Sequence, residues 1–437
     1  MDKIIFFISL SILLIHSCSS EPALFNRKEP DVRVRIINTL DTVKIRLLDK
    51  WSCYESGNLP KADYQNGDSL EVAVQAGKVR VHNFNIGQSL YFDSLSFKSG
   101  ETSAELKIKK VPYGTGWWWA GKEDRIYEGE ILIYAGDNNK PEVIVQLPLE
   151  EYLCGVVPYE IGGDSPCEAL KSQAVAARSE AVIALTSKMY SGLHHDLTSD
   201  VECQVFSGNG KRTRASDGAV DETRGIIISE DNMPINAYYA SNCGGHSELI
   251  KNVWPERPRP ESYGTALSDT EERKLLDLSS EEKAREWIES EPDVYCNPNI
   301  STELPEWSKK NFRWRREYTI NELTEMIAGE NDAGKLVNII PLKRGASGRI
   351  YHAKFEFEKD TIEIKGELAL RQLWKPALRS SCIIVERDKN KFIIKGAGWG
   401  HGVGMCQSGA VAQAKQGKDF ISILNHYYGK AELIKLY

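Results

Sequence analysis

Along the first third of the chain, apolar and polar residues alternate. "VRVRIINT", "SLEVAVQAGKVRVHNF", "SAELKIKK" and "EGEILIYAG" carry the pattern from Val32 to about Gln146, with Gly, Asn and Asp between the runs. Period-two alternation rich in β-branched residues predicts strands. The period then changes. In "SPCEALKSQAVAARSEAVIALTSK", Ala174, Ala177, Ala181, Val182 and Leu185 recur at helical spacing. Ser165 and Glu168 predict a capping box, with Pro166 at the first helical position. The apolar face is mostly alanine, so this helix is built to approach a neighbour closely.

From Thr213 to Glu248 strand and turn signals return. Residues from about 254 to 330 are charged and proline-studded and read as an inserted surface piece, with a helix near Glu281 to Ile288 and a second in "YTINELTEMIAG". "RIYHAKFEFEKDTIEIKG" reads as a hairpin, and "SGAVAQAKQGKDFISILNHYYG" as two short helices. The whole predicts an α+β protein: an N-terminal β-rich region over 32–125 and a mixed, β-rich domain with a few helices over 126–437. One segment breaks both periodicities. "GAGWGHGVGMC" places Gly396, Gly398, Gly400, Gly402 and Gly404 on alternate positions. Read as a strand, it has one face without side chains. Something approaches that face, either a ligand or another part of the chain.

Composition is ordinary for a globular protein: 41% hydrophobic, 27% charged. Net charge is -7 with no long basic run, so no nucleic-acid partner is expected. The N-terminus changes the picture. Lys3 precedes an apolar run from Ile4 to Ile15, too short for a span of about 20 residues and suited to a signal-peptide core. "IHSC" resembles a bacterial lipobox, which implies a signal peptide over 1–17, lipidation of Cys18, a tether over 18–31 and an exported, membrane-anchored protein facing periplasm or cell wall. Eight further cysteines permit disulfides in that compartment. Trp117, Trp118 and Trp119 stand side by side, for domain packing or for sugar stacking.

Glu160 lies just ahead of the alanine-rich helix, among Val156, Val157, Tyr159 and Ile161. Apolar surroundings raise a carboxyl pKa and suit a general acid; a plain surface glutamate is the alternative. Here the residues carry a resemblance. "LPLEEYLCGVVPYEI", "SPCEALKSQAVAARS", "CQVFSG", "AVDETRGIII", "PINAYYASNCGGHSE" and "GAGWGHGVGMCQSGA" resemble the stage II sporulation protein D and amidase-enhancer family, from about Tyr127 to Tyr437. The resemblance implies that 126–437 is a catalytic domain acting on peptidoglycan glycan strands. It implies a lytic transglycosylase with Glu160 as acid and base, cleaving between N-acetylmuramic acid and N-acetylglucosamine and leaving anhydro ends. The alternative is a non-catalytic wall-binding protein that enhances a partner amidase.

Gln173, Arg178, Gln204, Tyr239, His246, Trp399, His401 and Gln407 fall in matching motifs and are candidate substrate-binding residues. A hydrolase pairing Glu160 with Asp196, Asp200 or Asp221 is a third reading. Some family members hold zinc near "HHDLTSDVEC", but here Thr198 and Glu202 stand where a cysteine and a histidine are wanted, and His194 or His195 would have to substitute. No metal and no cofactor is therefore expected. A Cys203–Cys243 disulfide is the favoured pairing, and a Cys154–Cys167 bridge would brace the Glu160 loop.

Overall fold

Alternating side chains need two faces, and here the inner faces of two sheets meet. The computed structural model describes residues 28–437 except 56–58, 102, 118, 258 and 259. Cys18, the signal segment and Trp118 lie outside the described residues. One sheet runs Leu197–Thr198, Asp31–Ile37, Pro141–Pro148, Glu130–Ala135, Ser94–Lys98, Trp51–Tyr54, Ala62–Tyr64. The other runs Gly121–Tyr127, Leu106–Tyr113, Thr42–Leu47, Ser69–Gln75, Lys78–Asn83, Gln88–Phe92. Val32, Val34, Val43, Ile45, Val72 and Ile131 are fully or almost fully buried between them, each on an alternate position of its strand. The fold is α+β with a β-rich N-terminal region, as the patterning predicts.

The sandwich does not stop at 125. Its strands continue to Pro148, because Pro141–Pro148 pairs with Asp31–Ile37 from Asp31↔Pro148 to Ile37↔Val143. The chain then enters helix α1 (Leu149–Val157) directly, with Glu150 and Glu151 in the first turn, where negative charge suits the helix dipole. Helix α2 (Cys167–Ser187) follows. Both helices share one core with the sandwich, in which Leu153, Val157, Ala174, Ala177 and Ala181 are buried alongside Val34 and Leu147.

The capping box is not formed. The N-cap of α2 is Pro166, with no side-chain cap bond. Ser165 Oγ instead donates to the Ile161 carbonyl at 2.6 Å, closing the preceding turn. A buried ion pair ties the helices to the end of the chain. Arg178 donates to both oxygens of Glu150, at 2.9 and 2.6 Å. Gly225 N–H and Tyr437 O–H also donate to Glu150 Oε1, at 3.1 and 2.6 Å.

Beyond α2 the chain builds smaller sheets. Arg313–Thr319, Lys391–Ala397 and Ile383–Asp388 form one, and Leu336–Arg344, Ile350–Phe357 and Thr361–Lys365 another. The expected insertion is thus shorter than 254–330, since from Arg313 onward its residues belong to this lobe and its core of Trp314, Leu323, Phe355 and Trp374. Helices form at Glu281–Glu289 and Ile320–Ala328, the second with a true capping box between Thr319 and Glu322. Tyr239–Ala240 and Met405–Cys406 pair in parallel. Helices Gln407–Lys415 and Phe420–Tyr428 follow, as the sequence predicts.

Candidate functional site

Between α1 and α2 the backbone widens into a π-turn, Pro158–Gly162. Such turns are rare and recur at functional sites. Gly162, at φ +87°, takes a conformation that disfavours a side chain. Glu160 sits at the middle of this turn and is half-buried. Val205 N–H donates to its Oε1 at 3.0 Å. Burial pushes the carboxyl pKa up, while the bonds from Val205 and from the Gln407 amide oppose the rise.

Gln407 Nε2 also donates to Gln173 Oε1 at 3.1 Å. Next to this chain, Tyr239 O–H donates to Gln204 Oε1 at 3.0 Å, and Gln204 Nε2 to the Ala177 carbonyl at 3.1 Å. Burial, followed by the nearby charge of Glu160, pushes the Tyr239 phenol far up. The structure therefore brings Glu160, Gln173, Gln204, Tyr239 and Gln407 together. It adds Trp307, whose Nε1 lies 3.4 Å from where a Cβ on Gly162 would stand. Trp307 comes from the charged insertion, where no periodicity pointed to it.

The other candidates lie elsewhere. Arg178 is fully buried, and its donors go to Glu150, the Val220 carbonyl and the Ile226 carbonyl. It belongs to the core rather than to the Glu160 cluster. His246 is 1% exposed, its Nδ1 against the Ser247 carbonyl, and burial takes its pKa down to about 4. His401 packs its ring 4.7 Å from Trp254, and its Nδ1 accepts from Val403 N–H. Burial, with Arg371 and Arg349 nearby, takes it down to about 3, so it is a neutral ring at ordinary pH. Trp399 meets Trp119 edge-on at 5.5 Å, and Trp119 stacks on Trp117 at 4.9 Å. These tryptophans join the sandwich to the C-terminal lobe. Asp196 is held by Arg33 at 2.8 Å, and Asp200 accepts from Gly114 and Thr115 N–H.

The glycine segment is not an extended strand with a bare face. Gly398, Gly400, Gly402 and Gly404 have φ of +79°, +103°, +77° and +71°. Its close neighbour is protein, and it is not the helix that follows. A Cβ would stand 2.7 Å from the Asn242 carbonyl at Gly398, 2.8 Å from Ala240 Cβ at Gly400, 2.4 Å from Arg349 Cζ at Gly402 and 1.9 Å from the Tyr238 carbonyl at Gly404. The glycines let residues 238–243 and the Arg349 guanidinium lie against the ribbon. That contact sets the register in which Met405–Cys406 pairs with Tyr239–Ala240 and delivers Gln407 to Glu160.

All eight described cysteines are unbridged. The Cys203–Cys243 disulfide is not formed, because the two belong to different neighbourhoods. Cys203 Sγ lies against Tyr190 O–H and Thr198 N–H. Cys243 gathers instead with Cys296, Cys406 and Asp269, whose ligand atoms all lie within 4.8 Å of one another. Cys154 is buried while Cys167 is exposed, and they do not bridge. His194 and His195 turn to Glu142. Sequence reasoning also missed Glu180, which accepts from Ala237 N–H and Asn236 and is pushed up to about 7 by burial.

The fold and site define a class: a β-sandwich carrying a helical hairpin, with one polarised carboxyl at the hairpin's turn. A family model described as Stage II sporulation protein matches residues 137–229, and one described as a domain of unknown function matches 248–404. The first spans Glu160, Gln173, Arg178 and Gln204; neither reaches Gln407. An uncharacterized protein of Brachyspira hyodysenteriae is 28% identical over 304 residues, 69% of this chain and 71% of that protein. Stage II sporulation protein D of Bacillus amyloliquefaciens is 27% identical over 323 residues, 70% and 80% of the two chains. Amidase enhancer of Bacillus subtilis is 25% identical over 288 residues, 63% of this chain and 39% of that one. The chain is similar to the stage II sporulation protein D and amidase-enhancer family, with the family model itself matching over residues 137–229.

Proposed function

We propose that this protein is a peptidoglycan lytic transglycosylase with Glu160 as its acid and base. The observation that carries the reading is the isolation of that carboxyl. Its proton affinity is set by burial, the Val205 N–H and the Gln407 amide, and no second carboxylate among the described residues contributes to it. Glycoside hydrolysis ordinarily needs a carboxylate pair, about 5–10 Å apart. The pairing with Asp196, Asp200 or Asp221 loses support, since the first two are engaged elsewhere and Asp221 pairs with Arg224.

One carboxyl suffices if the sugar supplies its own nucleophile. Protonated Glu160 gives its proton to the glycosidic oxygen as the bond to the anomeric carbon breaks. The resulting carboxylate then takes the proton of the muramic acid six-hydroxyl as that oxygen bonds to the anomeric carbon. No water is consumed, and Glu160 ends protonated. Tethering of the nucleophile is worth up to about 7–11 kcal/mol of barrier. Gln173, Gln204, Tyr239 and Gln407 supply amide and hydroxyl groups for sugar oxygens, and Trp307 a stacking face.

The test uses peptide-free glycan strands and mass spectrometry. Anhydro-muramic ends are expected from the wild type and not from Glu160→Gln. Reducing ends would assign hydrolysis instead. The amidase-enhancer relative supports a second reading, in which the chain binds glycan and stimulates a cell-wall amidase without cutting. Glycan binding with no product from the wild type selects that reading. Export and anchoring through Cys18 belong to the same proposal. Among the described residues, no helix is long and apolar enough to cross a membrane.

A further inference from the structure

We propose that Cys243, Asp269, Cys296 and Cys406 form a closed structural site for a divalent metal ion of zinc-like preference. The four come from separate segments: the turn after Tyr239–Ala240, two points in the insertion, and the residue preceding Gln407. All four are buried, and their ligand atoms all lie within 4.8 Å of one another. Cys243 Sγ is 3.6 Å from Cys296 Sγ and 3.6 Å from Asp269 Oδ2. A tetrahedral zinc with Zn–S near 2.3 Å sets its sulfurs about 3.8 Å apart, whereas a disulfide sets them about 2.0 Å apart. One disulfide among three thiols would also leave one thiol over.

The surroundings are those of a thiolate cage. Gly245 N–H donates to Cys243 Sγ at 3.3 Å, and Cys243 N–H and Gly409 N–H donate to Cys406 Sγ at 3.2 and 3.4 Å. Gly244 and Gly245, at φ +75° and +97°, make the turn that aims these groups. Asp269 is 3% exposed. Its Oδ1 accepts from Tyr427 O–H at 2.9 Å and lies 3.4 Å from His426 Nε2, which leaves Oδ2 facing the sulfurs. Outer partners of this kind orient metal ligands. Arg313 donates to the Gly244 carbonyl at 3.1 Å, bringing positive charge to a site whose ligands sum to more negative charge than a divalent ion cancels. A cavity of about 20 Å³ lined by Cys243, Ser268, Asp269 and His426 adjoins the cluster. Three sulfurs and one oxygen select a soft, tetrahedral ion with no open coordination position.

On binding, each thiol gives up its proton to solvent. The ion would fasten the insertion to the parallel strand pair that delivers Gln407, and the site stands whether or not Glu160 cuts glycan. The test is elemental analysis of the purified full chain, with cobalt exchange. The expected result is close to one zinc per chain, thiolate-to-cobalt charge-transfer bands after exchange, and a lower melting temperature after strong chelation. Asp269→Asn and Cys296→Ser should each weaken metal binding at least about tenfold, while Cys203→Ser keeps it. If Cys296→Ser does not fold, cobalt titration of Asp269→Asn against the wild type carries the same comparison. A reduced wild-type chain that takes up neither zinc nor cobalt overturns the proposal. So does non-reducing peptide mapping that finds two of the three cysteines bridged.

Discussion

Glu160 shows how one residue can be legible while its setting is not. The VVPYE stretch and its apolar neighbours mark the carboxyl in the sequence. The groups that tune it, Val205 and Gln407, arrive from distant segments; the motifs made Gln407 a candidate, but nothing in the sequence paired either residue with Glu160. Removing the Gln407 amide removes a bond that favours the ionised form. Gln407→Ala should therefore raise the Glu160 pKa and move the alkaline limb of kcat/KM to higher pH. Glu160→Gln should cost at least about 100-fold in rate, the lower range for a lost general acid, with an unchanged circular dichroism spectrum. Glu180, raised to about 7 from an ordinary 4.5, titrates in the opposite direction to a salt-bridged acid. It favours the folded state most below pH 4.5, and that contribution drains away as pH rises toward 7. It is on the order of 3 kcal/mol. Glu180→Gln should accordingly gain stability relative to wild type at pH 8 and not at pH 4, as urea unfolding at the two pH values would report.

At the scale of elements, periodicity found most strands and helices and failed where its premise failed. Alternation predicts a bare face only if the backbone is extended, and the four glycines from Gly398 to Gly404 are not. Gly404→Ala should cost roughly 2–5 kcal/mol, from a left-handed φ and a clash with the Tyr238 carbonyl. Gly417→Ala, at φ +86° with nothing nearby, should cost only about 1–3 kcal/mol. Chemical denaturation separates the two. The capping box failed for a related reason: Pro166 takes the cap itself, at φ -54° and ψ 143°, and Ser165 is left to close the π-turn. Arg178 looked like a sugar ligand because its partner, Glu150, sits on another helix. Arg178→Met should lose about 3–5 kcal/mol by stranding that carboxylate, and the folded fraction should bind glycan with unchanged affinity.

For the whole molecule, the family match beginning at residue 137 does not coincide with a folding unit. Strand Pro141–Pro148 needs Asp31–Ile37 on one side and Glu130–Ala135 on the other. A chain cut to residues 137–437 should aggregate on gel filtration, whereas one beginning at residue 28 should run as a defined species. Sequence could place the β region but not its boundary, because its core is continuous with α1 and α2.

Arg349 bears on how such a protein can change. Its guanidinium reaches the carbonyls of Gly400, His246 and Cys243 and the Ser347 hydroxyl, all from one planar fork. Lysine has the charge without the fork, and so it would abandon several of these oxygens in the dark of the protein interior. The ribbon is therefore moored to a post that admits no gradual replacement. Remodelling of the acid's surroundings has to come through the amides and aromatics at its rim, while the mooring stays fixed.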